Sequence, residues 1–277
     1  MSWIQRPNGV RIHAQVTGRP DAAPVLLIQG LGMNKNGWTL QRFAMATKFR
    51  TIAFDNRGAG RSTIPTQQFT LEDMADDAVA VLDHYGVRDA HVVGASMGGA
   101  IAQILAVKHP GRVRSLTLAC TACRNLPWRT ELLRQWSDTA NVRGVRQWAD
   151  ESMRWLVGPR SFRRLAPAIG WLGPFATFRP SQGFTQQVEA ILGTDDSMVA
   201  ELSGIKVPAL VVVGNQDILT PRGDSEEIAE RLPQAELVVI SGAAHGLMVE
   251  HASTFNSIVV DFIERVEAQS RPHAEAS

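Results

Sequence analysis

The run Gly94-Ala95-Ser96-Met97-Gly98 sets a serine between two glycines, each two residues away. A hydroxyl attacks poorly at neutral pH unless a base removes its proton, and the base works best when an acid orients it. Of the seven histidines, His245 stands in Ser241-Gly242-Ala243-Ala244-His245-Gly246, a small-residue loop from which an imidazole can reach over a sheet edge. His13, His84, His91 and His109 fall in expected elements or at their ends, His251 in the last helix and His273 in the polar tail. Asp217, in Gly214-Asn215-Gln216-Asp217, follows an apolar run and is the first choice for the acid. Asp224 is the alternative, a residue better suited to the first turn of a helix, where a carboxylate meets the positive end of the dipole. Serine, histidine and aspartate together point to nucleophilic acyl transfer.

The elements that must position these residues follow from hydrophobic periodicity. Val25 to Ile28, Thr51 to Phe54, His91 to Val93, Val113 to Leu118, Ala209 to Val213 and Leu237 to Ile240 are short continuous apolar runs, as expected of parallel strands covered on both faces. Val10 to Val16 alternates after an Asn8-Gly9 turn, with Trp3-Ile4 before it, which predicts an antiparallel edge hairpin. About eight strands result, in a mostly parallel sheet. Leu71, Met74, Ala75, Ala78, Val79 and Leu82 share one helical face, with Thr70 placed to cap its start and Gly86 to end it. Further helices are expected at Trp38 to Thr47, Met97 to His109, Asp224 to Arg231 and Leu247 to Val266. Strand followed by helix, repeated, predicts a doubly wound α/β fold. Within it, Ser96 sits where a strand hands over to a helix, and the helix N-terminus offers free N–H groups to negative charge on an attacked carbonyl.

From about Asn125 to Ser203 the strand pattern stops. Five of the seven tryptophans fall there, Trp128, Trp136, Trp148, Trp155 and Trp171, with Gly158-Pro159, Gly173-Pro174 and Arg179-Pro180 as breakers. The expectation is a core of residues 1–124 and 204–277 carrying an inserted helical cap at 125–203.

Composition excludes several classes. With 28 basic against 27 acidic residues the chain has no polycationic surface for nucleic acid, and no apolar run is long enough for membrane insertion. The first residues show no signal or transit peptide, so a cytoplasmic location is expected. Cys120 and Cys123 form a single C-x-x-C with no second ligand pair, so no metal is expected, and blocking these thiols is expected to change activity little. Gly30-Leu31-Gly32 lacks the third glycine of a dinucleotide loop, and no cofactor is implied.

In its elbow, acid and histidine, taken in chain order, the sequence resembles the α/β-hydrolase fold superfamily, in particular its serine hydrolases with a helical cap. Asp55-Asn56-Arg57-Gly58-Ala59-Gly60-Arg61-Ser62 is similar to the family's D-x-R-G-x-G-x-S turn, and Gln29-Gly30-Leu31-Gly32 to its oxyanion loop, where many relatives carry His-Gly for Gln29-Gly30. The resemblance implies that the N–H groups of Leu31 and Met97 form the oxyanion hole. It also implies that Ser96 at the elbow excludes the dehalogenases and epoxide hydrolases of this fold, which use aspartate there. Asp55 and Arg57 are read as a structural turn and ion pair.

The expected reaction is hydrolysis of a carboxylic ester or lactone through an acyl-enzyme, as in the enol-lactone hydrolases, polyketide methylesterases and other esterases that the chain resembles. Trp38, Met33, Trp128, Trp155 and Met248 are the candidates for contact with an apolar or aromatic substrate, with Phe162, Phe175, Phe178 and Phe184 also available. Two alternatives stand beside this. The same triad serves C–C bond hydrolysis or cofactor-free perhydrolysis, and the fold also serves as a small-molecule receptor.

Overall fold

In the computed structural model, residues 1–163 and 181–270 are described. Trp171, Phe175, Phe178 and His273 lie outside the described residues. The chain opens with β1 (Ser2–Gln5), β2 (Arg11–Gly18) and β3 (Pro24–Ile28), followed by α1 (Thr39–Met45), β4 (Arg50–Phe54) and α2 (Leu71–His84). Next come β5 (Ala90–Ala95), α3 (Met97–Lys108) and β6 (Val113–Ala119). One eight-stranded sheet results, in the order β1-β2-β4-β3-β5-β6, completed by β7 (Ala209–Gly214) and β8 (Ala235–Ile240). β1 with β2 and β2 with β4 are antiparallel, and every other pairing is parallel.

The continuous apolar strands have a simple cause, because successive side chains point to opposite faces and both faces are covered. Leu26 and Ile28 of β3 pack with Met74, Ala78 and Leu82 of α2 and with Ile101 and Leu105 of α3. Val25 and Leu27 of the same strand pack on the other side with Trp38 and Met45 and with Phe255, Val259 and Phe262. Thr70 caps α2 as the sequence predicts: its hydroxyl accepts from Asp73 N–H while the Asp73 carboxylate accepts from Thr70 N–H. Such a cap is worth about 1 kcal/mol.

Two helices differ from expectation. The stretch predicted as a helix from Trp38 opens as a 3₁₀ turn at Lys35–Trp38 before α1. The stretch predicted as a single helix from Leu247 breaks at His251. The apolar spacing is continuous, yet the chain must turn there to leave the loop that carries His245 and lie along the sheet.

Between β6 and β7 the structure forms α4 (Pro127–Val142), α5 (Val145–Leu156), α6 (Ser181–Leu192) and α7 (Ser197–Glu201), with no strand among the described residues. Leu132, Leu133 and Trp136 of α4, Trp148 of α5, Phe184 and Val188 of α6 and Leu219 form a separate apolar centre. After β7 the chain runs through α8 (Arg222–Arg231), β8, α9 (Leu247–Glu250) and α10 (Ala252–Ser270). Among the described residues, no helix is long and apolar enough to cross a membrane.

Candidate active site

Ser96 occupies the single residue between β5 and α3, with φ 53° and ψ −122°. This conformation costs a non-glycine residue about 1–3 kcal/mol and persists only where the surroundings hold it. They do so here: Ser96 N–H donates to the Ala119 carbonyl at 3.0 Å, and the Thr121 hydroxyl donates to the Ser96 carbonyl at 2.8 Å. The flanking glycines are required by contact. A Cβ on Gly94 would stand 2.2 Å from the Gly98 carbonyl oxygen, and one on Gly98 would stand 2.2 Å from the Ile28 carbonyl oxygen. So tight a turn lets α3 start directly under the serine, with its first N–H groups unpaired by the helix.

Across the sheet edge, His245 Nδ1 lies 2.9 Å from Asp217 Oδ2. Asp217 is itself fixed by three donors. Its Oδ1 accepts from Leu219 N–H and Thr220 N–H, each at 2.9 Å, and its Oδ2 accepts from the Thr220 hydroxyl at 2.8 Å. Burial alone would raise this carboxyl, but the His245 ring and the Thr220 hydrogen bonds outweigh it and hold the carboxyl below its usual range. A carboxylate at Nδ1 favours the tautomer with its proton there and leaves Nε2 as the acceptor. Asp224, the alternative acid, is instead buried in an ion pair with Arg129.

Ser96 and His245 line one cavity of about 1070 Å³. Leu31 and Met97 are also on its wall, as are Met33 and Met248. Leu133, Trp136, Trp148, Leu156, Phe162, Ile191 and Met198, all from the insertion, add apolar lining. Three sequence-predicted contacts are corrected. Trp38 is completely buried, stacked on Phe255 with ring centroids 6.5 Å apart, because the 3₁₀ turn before α1 drives it into the sheet packing. Trp128 and Trp155 stack on each other at 6.3 Å, away from the cavity wall. Among the described residues, the aromatic lining comes from Trp136, Trp148 and Phe162 in their place. Phe184 lies behind Trp148, with ring centroids 4.4 Å apart.

Asp55 and Arg57 are structural, as expected, but they do not pair with each other. Asp55 takes Lys35 N–H, Lys35 Nζ and Arg61 N–H, whereas Arg57 makes a two-pronged pair with Asp77 at 2.7 and 2.8 Å. Gln29, where many relatives have histidine, uses its side-chain oxygen to accept Gly30 N–H at 2.9 Å and so supports the loop that carries Leu31.

Three neighbours escaped the sequence reading. Gln187 of α6 accepts Gly32 N–H at 2.8 Å and donates to the Arg57 carbonyl at 2.8 Å, tying the helical insertion to two core loops. Glu250 accepts Gly158 N–H at 3.0 Å and Ala244 N–H at 3.2 Å, joining the end of α5 to the histidine loop. Cys120, whose position relative to the site the sequence leaves open, lines the cavity. The register of β5 against β6 pairs Ala95 with Ala119, so the next residue on each strand, Ser96 and Cys120, emerges at the same edge. Burial, then the negative charge of Asp217, push the Cys120 thiol well above its ordinary range, so it is a neutral thiol and a weak nucleophile.

A strained serine between β5 and α3, with a histidine–aspartate pair in the loops after later strands of a mostly parallel sheet, defines the class of α/β-fold hydrolases. The chain belongs to the alpha/beta hydrolase fold family, whose profile matches residues 23–252. A relative from Caulobacter vibrioides, named "Putative carbamate hydrolase RutD", is 30% identical over 275 residues, covering 91% of this chain and 95% of its own. Among solved structures, the enol-lactonase from Burkholderia xenovorans LB400 superimposes with a TM-score of 0.86 at 28% identity, over 93% of this chain and 98% of its own. A thermophilic esterase from Thermogutta terrifontis gives 0.87 at 27% identity, over 96% and 98%.

Proposed function

We propose that the protein hydrolyses a carboxylic ester or lactone with an apolar or aromatic body, with Ser96 as nucleophile, His245 as base and Asp217 as the acid that orients it. The observation that carries this reading is a cavity of about 1070 Å³, lined largely by apolar side chains, that Ser96 and His245 both reach, the histidine bonded at Nδ1 to Asp217. Residues 125–203 act as the cap over this cavity, and 1–124 with 204–277 as the core. Met33, Met248, Trp136 and Trp148 contact the substrate body.

Ser96 Oγ attacks the acyl carbon while His245 Nε2 takes its proton, and the electron pair of the carbonyl moves onto oxygen. The Leu31 and Met97 N–H groups receive that oxyanion, and one such donor is worth about 3–4 kcal/mol of the barrier. His245 then protonates the leaving oxygen, which departs as alcohol or, from a lactone, stays tethered to the acyl group. Water activated by the same histidine hydrolyses the acyl-enzyme.

A fluorophosphonate probe followed by intact-mass measurement, with hydrolysis of short and aromatic p-nitrophenyl esters, tests the reading. Labelling and turnover are expected in the wild type and absent in Ser96→Ala. A wild type that is neither labelled nor active overturns the triad and favours a ligand-binding protein. The name of the Caulobacter relative supports a carbamate as the second substrate reading. Carbamates present the same acyl carbon, and release of amine or ammonia from them at a higher kcat/KM than any ester would replace the first reading.

A further inference from the structure

Cys120, Asp217 and His245 each place one donor atom so that the three lie within 4.8 Å of one another, and all three side chains are buried. Thiolate, imidazole and carboxylate are the donors that bind zinc and cadmium, which take such sets in tetrahedral geometry. We infer that Cys120, His245 and Asp217 form a site for one thiophilic divalent cation, Zn²⁺ or Cd²⁺, that shuts the enzyme off when occupied. The site needs no new fold, only small side-chain shifts. Bond lengths of about 2.0 to 2.3 Å put tetrahedral ligand atoms roughly 3.3 to 3.6 Å apart. The 2.9 Å gap between Asp217 Oδ2 and His245 Nδ1 therefore opens by a few tenths of an ångström, and the Cys120 sulfur, within 4.8 Å of both, closes by at most about 1.3 Å. Cys120 and His245 both line the cavity, from which water can take the fourth position.

Charge and protons balance. The thiol gives its proton to solvent as the metal–sulfur bond forms. The imidazole keeps its one proton but carries it on Nε2, because Nδ1 now gives its lone pair to the metal. One carboxylate, one thiolate and one divalent cation sum to zero, so no net charge is left in a buried place. The tautomer accounts for the blockade. With Nε2 protonated, His245 can no longer accept the Ser96 proton, and Asp217 is held by the metal instead of by the imidazole.

The blockade rests on the serine-triad reading, whereas the binding site does not, and the experiment separates them. Cd²⁺ is titrated into the wild type, Ser96→Ala, Cys123→Ala and Cys120→Ala, and the ultraviolet cadmium–thiolate charge-transfer band is followed. Cys123 is the second buried thiol and serves as the control. In parallel, ester turnover of the wild type, Cys123→Ala and Cys120→Ala is measured against Zn²⁺, each relative to its own rate with chelator present. The expected result is a band saturating at one ion per chain in every protein except Cys120→Ala. Inhibition should be reversed by chelator, and the half-inhibiting zinc concentration should rise by roughly 100-fold or more in Cys120→Ala, since loss of even an outer partner costs 10–100-fold. No band in the wild type, or a band that survives in Cys120→Ala, overturns the site. Equal zinc sensitivity in the wild type and Cys120→Ala overturns the blockade. If the triad reading itself fails, the band in Ser96→Ala still decides the metal site.

Discussion

Glu250 bridges the end of α5 and the loop that carries His245, and its removal should cost both stability and rate. One carboxylate oxygen accepts Gly158 N–H at 3.0 Å and the other accepts Ala244 N–H at 3.2 Å, with the side chain buried. Beside them, Gly246 N–H donates to the Leu156 carbonyl at 2.7 Å, so both neighbours of the histidine are tied to the same carboxylate or to the same strip of insertion. Glu250→Gln keeps one acceptor and turns an NH₂ donor against the second N–H. Losing one hydrogen bond to a charged group costs about 1.5–3 kcal/mol. At roughly 2–4 °C per kcal/mol for a domain near this size, melting should fall by about 3–12 °C. Glu250→Ala leaves both donors without an acceptor and should fall further. A histidine displaced by even about 1 Å can cost on the order of 100-fold in rate, so kcat on p-nitrophenyl esters should drop more than KM rises. Thermal circular dichroism and steady-state kinetics on the two variants read both quantities. A Glu250→Gln protein that melts and turns over like the wild type would refute the argument that this carboxylate positions His245.

His91 is buried with Nδ1 at 2.7 Å from Ser115 Oγ and Nε2 at 3.0 Å from Glu267, and burial, opposed by Glu267, lowers its pKa from 6.5 to about 4. The unfolded chain therefore binds a proton at a pH where the folded one does not, and stability falls as pH drops from about 6.5 to about 4. That gap corresponds to about 3 kcal/mol. His91→Gln should flatten melting temperature against pH across that window, and an unchanged slope would remove His91 as the cause. Gly98→Ala would force a Cβ to within 2.2 Å of the Ile28 carbonyl oxygen and 2.8 Å of the Gln29 carbonyl oxygen. A loss of at least about 1–3 kcal/mol is expected from such overpacking. The strain falls on the loop that leads to Leu31, so ester turnover should fall along with melting temperature.

The sheet was legible because each buried strand leaves a short apolar run and each turn leaves a glycine, proline or asparagine. Thr70 announced the start of α2 by its place before the apolar spacing, and its hydroxyl caps the helix there, answered by the Asp73 carboxylate. Helix continuity was less legible. Residues from Leu247 onward keep one apolar face through the break at His251, so periodicity could not show where the backbone turns. That turn is set by where α10 must lie on the sheet and by the bonds that hold Glu250, both of which depend on residues far away in the chain.

Within the site, Asp217 and Asp224 illustrate why local context stops short. Both fall between β7 and β8, and only the fold shows that Arg129 of α4 takes Asp224 while Asp217 faces His245. The aromatic residues fail for a related reason. Trp38 and Trp136 are equally apolar, and their spacing in sequence says nothing of which one meets the cavity. The first is carried into the sheet face by a 3₁₀ turn and the second lines the cavity that Ser96 also lines. Cys120 gives the converse lesson. A thiol one residue past β6 carries no chemical signature of its own, yet the parallel register that sets Ala119 opposite Ala95 delivers it beside Ser96, within reach of the histidine and the acid. A neighbour so placed acquires consequences from geometry alone: as a neutral thiol it is silent, and as a metal-bound thiolate it would hold His245 and Asp217 on the metal.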